Sequence, residues 1–137
     1  MADRLTLEVV TPTRLVVAEA VDEVVVPGSD GYFGVLPGHA AFLTTLGTGE
    51  VIYRVGQAAY HLAASGGFAE VRNDRVVILA DTAERPQEID RDRAARAKER
   101  AERRLTGGSS EDAIDYARAS AALDRALTRH QIANRGR

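Results

Sequence analysis

The chain has 137 residues, of which 45% are apolar and 28% charged; that is enough apolar material for one ordinary core and too little length for a large multidomain enzyme. Cysteine is absent, which excludes disulfides, thiolate metal sites and thiol nucleophiles together. The net charge of −2 conceals a split, because residues 1–87 carry 6 basic and 11 acidic groups while residues 88–137 carry 12 and 9.

Met1-Ala2-Asp3-Arg4 runs directly into strand-like sequence, and no run of 18 apolar residues follows. The expectation is a cytosolic start with no signal peptide, transit peptide or spanning helix. Leu5, Leu7 and Val9 then alternate with Thr6 and Glu8, the period of a half-buried strand. Further runs of branched and aromatic residues occur at 15–17, 21–26, 32–36, 50–55, 59–63, 68–71 and 76–79. Gly56-Gln57 and Asn73-Asp74 stand where hairpin turns belong. About eight short strands with no helix between them predict an antiparallel β-sandwich, or flattened barrel, over residues 1–86.

The character changes near residues 82–87. Beyond Pro86 there is no further proline, no glycine occurs from Gln87 to Leu105, and Ala, Arg and Glu dominate; all three are good helix formers. Thr106-Gly107-Gly108-Ser109-Ser110 is a break, with Ser109 or Ser110 able to cap a second helix starting near Glu111. Residues 87–137 therefore read as an antiparallel two-helix hairpin of roughly five turns per helix. Its expected seam is Ala94, Ala97, Ala101 and Leu105 against Ala113, Ala117, Ala121 and Leu123. Each buried methyl contributes only about 0.8 kcal/mol, so the hairpin lacks a large aliphatic stripe to pin it to the β half and is expected to be mobile. The like-charge pairs Arg96/Arg100, Arg100/Arg104 and Arg125/Arg129, each four residues apart, cost roughly 0.2–0.5 kcal/mol apiece. Asp92/Arg96 and Glu99/Arg103 offset part of that.

Few groups invite chemistry. Gly28-Ser29-Asp30-Gly31-Tyr32-Phe33-Gly34 has GxxGxxG spacing with no helix behind it, which suits a β-turn loop better than a phosphate cradle. No GxxxxGK[ST] or GxSxG is present, and His39, His61 and His130 are scattered, so neither a catalytic set nor a metal site is expected. The arginines form the one sharper constellation, since 17 of the 18 basic residues are Arg and a guanidinium fork matches phosphate or carboxylate. A fold about residues 106–110 places Arg125 across from residue 91 and Arg129 across from residue 87. Arg93, Arg100, Arg125 and Arg129 would then surround one pocket suited to a polyphosphate. A solvated charged face, with Asp90 complementing the helix dipole, accounts for the same residues. A basic-helix nucleic-acid-binding module is the alternative functional class, although only Tyr116 supplies an interleaved aromatic and the β half is acidic.

The stretch from Pro27 to Ala40, then Ser65-Gly66-Gly67-Phe68-Ala69-Glu70-Val71 and Ile78-Leu79-Ala80-Asp81, resembles the epsilon subunit of bacterial F-type, proton-transporting ATP synthase, and the likeness runs from Leu5 to about Arg129. That resemblance implies a ten-stranded sandwich that binds the gamma subunit and touches the rotor ring of c subunits. It implies a hairpin that is compact when down and inhibitory when extended toward the catalytic alpha and beta subunits. The chain would be a non-catalytic, peripheral subunit on the cytoplasmic face of the bacterial plasma membrane, requiring no cofactor. Ile89-Asp90-Arg91-Asp92-Arg93-Ala94 is similar to the I(L)DxxRA motif of epsilon subunits that bind ATP without hydrolysing it, and Glu84, Arg100, Arg125 and Arg129 stand at matching positions. The resemblance thus implies a regulatory ATP site of Glu84, Ile89, Asp90, Arg93, Ala94, Arg100, Arg125 and Arg129, and leaves open whether Mg2+ accompanies the nucleotide. It also implies a rotor-ring contact of Asp30, Gly31, Tyr32 and His39, with Tyr32 replacing a carboxylate common in that family.

Overall fold

The computed structural model describes residues 3–106 and 113–135. The break at 107–110, its serine cap, the start near Glu111 and Arg137 lie outside those residues. Eight strands come first: β1 (Leu5–Val10), β2 (Leu15–Val21), β3 (Glu23–Gly28), β4 (Gly31–Val35), β5 (Phe42–Thr45), β6 (Gly49–Val55), β7 (Ala58–Arg72) and β8 (Arg75–Glu84). A 3-10 turn (Pro86–Glu88) and two helices, α1 (Arg91–Thr106) and α2 (Ala113–Ala133), follow. The sandwich-then-hairpin architecture is the one expected.

Leu5, Leu7 and Val9 are buried while Thr6 is exposed, as the alternation requires. The strand order is β2-β1-β8-β7-β6-β3-β4, with β5 paired to β7. Two expectations need refinement. Residues 59–63 and 68–71 belong to one 15-residue strand, and one pair, β1 with β8, is parallel. The first half of β7 pairs with β6 and the second half with β5, so the sheet folds over into two layers that share β7 and β8. Counting those two strands once in each layer yields the ten strand segments implied by the resemblance.

The fold-over occurs at Gly66 (φ +69) and Gly67 (φ +109). A Cβ on Gly67 would collide with the Leu79 carbonyl of the neighbouring strand, so only glycine allows this bend. Asn73 (φ 51) and Asp74 (φ 59) form the β7–β8 turn with both residues left-handed, the conformation a two-residue hairpin demands. Between the layers lies a continuous core that includes Leu5, Val24, Val51, Tyr53, Leu62, Val71 and Ile78.

Helix α1 starts four residues later than the glycine-free stretch suggests. Pro86 opens a separate 3-10 turn; Asp90 then caps the helix, its Oδ1 accepting from the Arg93 amide at 2.9 Å. The hairpin seam also differs in phase from expectation. On α1, Ala94 and Ala101 are buried as predicted, but on α2 the buried positions are Ala119, Ala126, Ile132 and Ala133, while Ala117 and Ala121 are exposed. Steps of four residues drift about 40° per step around a helix of 3.6 residues per turn, whereas steps of three and four stay on one face. The side chains of Ala113 and Tyr116 lie outside the described region.

Candidate functional site

The hairpin lies against the outer face of the layer containing β6, the first half of β7 and the end of β8. Ala63 of β7 packs there with Ile89, Ala94, Ile132 and Ala133. The register places Glu84 and Glu50 on either side of Ala63 in one row across β8, β7 and β6. Each carboxylate holds an arginine, one from the last turns of α2 and one just beyond its end. Arg129 donates from Nε to Glu84 Oε1 at 2.8 Å and from Nη2 to Oε2 at 3.1 Å, a bidentate fork. Just past the helix, Arg135 Nε meets Glu50 Oε2 at 2.5 Å, and His61 Nδ1 lies 3.0 Å from the same oxygen.

A cavity of about 680 Å³ opens beside this contact, between hairpin and sandwich. Ala97 lines it from α1, and Ala122, Arg125, Ala126 and Arg129 line it from α2. Arg14, Ser65, Asp81, Thr82 and Glu84 are among the residues that close it from the sandwich. Arg14 is fixed at its wall: Nη1 pairs with Glu88 Oε2 at 2.5 Å and Nη2 donates to the Ala83 carbonyl at 3.2 Å. That guanidinium holds the Glu88 carboxyl below its usual range, opposed by burial and aided by the Arg85 amide.

Of the eight residues expected at a nucleotide site, Glu84, Arg125 and Arg129 line this cavity together. Arg93 and Arg100 do not line it; they stand four residues before and three after Ala97, on the same face of α1. Asp90 is the helix cap, and the Arg93 amide is the main reason its carboxyl titrates below the usual range. It borders a different depression, with His130 and Asn134. Ile89 and Ala94 are buried in the docking cluster. The facing register differs from the expected one as well, since Arg91 Nη2 donates to Asn134 Oδ1 at 2.7 Å, putting residue 91 beside 134 where 125 was expected.

The four residues of the expected ring contact do not converge. Asp30 lies in the β3–β4 turn and Gly31 opens β4, and the exposed Tyr32 leans back so that its hydroxyl accepts from the Glu50 amide at 3.0 Å. His39 lies beyond the other end of β4, its Nδ1 2.6 Å from the Ala40 carbonyl. The five-residue strand β4 holds the two ends roughly 13 Å apart.

One surface escaped the sequence reading. On the outer face of the opposite layer, Phe68 pairs with Leu79, Leu79 with Val10, and Val10 with Leu15. Phe68, Leu79 and Leu15 are 54%, 52% and 58% exposed. The available signal was broken alternation: Phe68 and Leu79 are outward positions beside the buried Ala69 and Ile78, where polar residues are expected. Among the described residues no group of His, Asp and Glu could hold a metal, and no helix is long and apolar enough to cross a membrane.

Comparison with known proteins gives this geometry a family. Residues 4–86 match the model for the beta-sandwich domain of the ATP synthase delta/epsilon chain, and residues 87–134 match the model for its long alpha-helix domain. The ATP synthase epsilon chain of Nitratidesulfovibrio vulgaris is 48% identical over 132 residues, covering 96% of this chain and 97% of the relative. That of Syntrophobacter fumaroxidans is 50% identical over 135 residues, covering 98% and 99%. In the solved structures, a chain of the Euglena gracilis mitochondrial ATP synthase OSCP/F1/c-ring assembly superposes with a TM-score of 0.79 at 25% identity, over 91% of this chain and 78% of that one. A chain of the Tetrahymena thermophila mitochondrial central stalk and c-ring shares the fold at TM-score 0.62 and 13% identity, over 97% and 98%. Domain order, both family models and near-complete coverage by relatives agree: the chain belongs to the ATP synthase delta/epsilon family, as an epsilon subunit.

Proposed function

We propose that this chain is a rotor subunit in the central stalk of a bacterial proton-transporting ATP synthase, coupling the c-ring to the gamma subunit. It has no catalytic role of its own and joins the cytoplasmic face of the membrane through the complex. The exposed Leu15, Leu79 and Phe68, with half-buried Val10 between them, supply an apolar face that gamma covers once the subunit is assembled. The Asp30–Tyr32 turn and the His39 loop are two separate points from which the sandwich meets the ring.

The hairpin is the regulator. The observation that carries this reading is the cavity between the two halves, because a ligand held there touches α2 and the sandwich at once and stabilises the compact form by its differential affinity. ATP suits it. Arg125 reaches the cavity with no hydrogen bond or ion pair to another described side chain, and Arg93 and Arg100 flank Ala97 on the facing helix. Glu84 orients Arg129 until a phosphate competes for it. Without nucleotide the hairpin extends, and its exposed arginines are then free to engage acidic segments of the alpha and beta subunits.

Calorimetry on the isolated chain tests the assignment. Arg125→Ala combined with Arg129→Ala is expected to lower ATP affinity at least tenfold, two charge-assisted contacts being lost. Unchanged affinity would remove ATP from this cavity.

A further inference from the structure

Two ion pairs and a small apolar patch hold the hairpin down, and their spacing is matched between sheet and helix. Glu84 and Glu50 are separated by one strand, so their backbones stand about 9.6 Å apart at the usual strand spacing. Arg129 and Arg135 are six residues apart, a rise of about 9 Å in a helix. The turn continues past the last helical residue, with the Arg135 amide donating to the Ile132 carbonyl at 2.9 Å. Between the two arginines, Ile132 and Ala133 press on Ala63. A larger side chain at 63 would lift the helix off both carboxylates.

The two pairs differ in what can reach them. Glu84 and Arg129 both line the cavity, whereas neither Glu50 nor Arg135 does. Glu50 is the less exposed of the two acids, with its side chain at 15% against 28% for Glu84, and His61 backs it from β7. We propose that these pairs form a two-point clasp with divided control. The Glu84–Arg129 point is contested by any anion entering the cavity, and the Glu50–Arg135 point is a standing anchor about which the hairpin stays tethered while the first exchanges its partner. This deepens the switch reading above and rests on it for the hairpin's motion only; the clasp itself does not require that the anion be ATP. Release of the whole hairpin then needs both points to open, so the anchor sets how often the extended form appears.

Amide exchange of the full chain, followed by mass spectrometry with and without inorganic pyrophosphate as the probe anion, tests this. Arg135→Glu is expected to speed exchange of residues 129–135 about five- to thirtyfold, because it both removes an ion pair and sets two carboxylates against each other. The sandwich strands should be unaffected. Glu50→Arg combined with Arg135→Glu should restore protection, a rescue that mere loss of packing would not show. In the unmodified chain, pyrophosphate should alter exchange around residues 125–129 and leave 132–135 protected; in Arg135→Glu it should produce the same change at 125–129 while 132–135 stay fast-exchanging, because an anion in the cavity does not replace the anchor. Equal protection in Arg135→Glu and the unmodified chain overturns the clasp, as does failure of the charge swap to rescue. Opening of 132–135 by pyrophosphate in the unmodified chain overturns the division of control. Loss of ATP affinity in the Arg125/Arg129 double variant is read separately, so either proposal can fail while the other stands.

Discussion

Ile132→Ala is the most telling change in the docking patch. Ile132 is 1% exposed and is the largest side chain from α2 in a cluster that otherwise contains Ala63, Ile89, Ala94 and Ala133. Truncation removes three buried carbons, about 2.4 kcal/mol at roughly 0.8 kcal/mol each. The patch is small and can close over the gap, so the cost should lie near the low end of the 2–5 kcal/mol seen for such changes. A loss of that size corresponds to an increase on the order of 50-fold in the population with the hairpin undocked. The sandwich core is a separate cluster containing no residue of α1 or α2, so its unfolding should not move. Amide exchange of α2 and thermal unfolding of the sandwich, measured on one sample, read the two quantities independently. If the sandwich melts earlier by as much as the hairpin loosens, the halves are one cooperative unit and the reasoning is wrong. If α2 does not loosen, the patch does not hold it.

Two other outcomes follow from the geometry. Asp90→Ala removes the α1 cap and should weaken the start of that helix, read as lost helical signal at neutral pH. The Asp90 carboxyl titrates below its ordinary value when folded, so its contribution is fully present above the unfolded range near pH 4 and disappears as pH falls through the folded value. The unmodified chain should therefore lose helix on acidification and Asp90→Ala should lose less; equal pH profiles would assign the cap another role. Phe68→Asp with Leu79→Asp places charge on an outward face and should leave the isolated fold intact by circular dichroism. The same pair should abolish co-purification with the other subunits of the complex, and full retention would show that partners bind elsewhere.

Much of the fold was legible because local rules agree with it. Leu5, Leu7 and Val9 show their pleat directly, Asn73-Asp74 announces its turn, and the proline and glycine distribution separates strand from helix. Strand β5 escaped because Phe42-Leu43-Thr44-Thr45 is four residues long with no alternation, a segment set by its pairing to β7 alone. The seam of α2 was misjudged by following alanines every fourth residue, and the pinning pair Ile132-Ala133 lay beyond the stretch considered. Arginines 125 and 129 could be named from spacing and family likeness. Glu84, the acidic partner of Arg129, could be placed near it only through that likeness, and Glu50 not at all. Which carboxylates share a row depends on β6–β7–β8 register, and register is a property of three distant segments together.

The glycine bend at 66–67 bears on how force travels through the molecule. Phe68 and Leu79, on the exposed outer face, are joined to Ala63 and Glu84, beneath the helices, by uninterrupted peptide bonds of the same two strands. A push on one side is therefore carried through covalent backbone and its ladder of hydrogen bonds, where two separately packed sheets could slip past each other. Such a body behaves as a stiff crank arm, and a twist applied at its outer apolar face is delivered with little slack to the place where the helical arm rests.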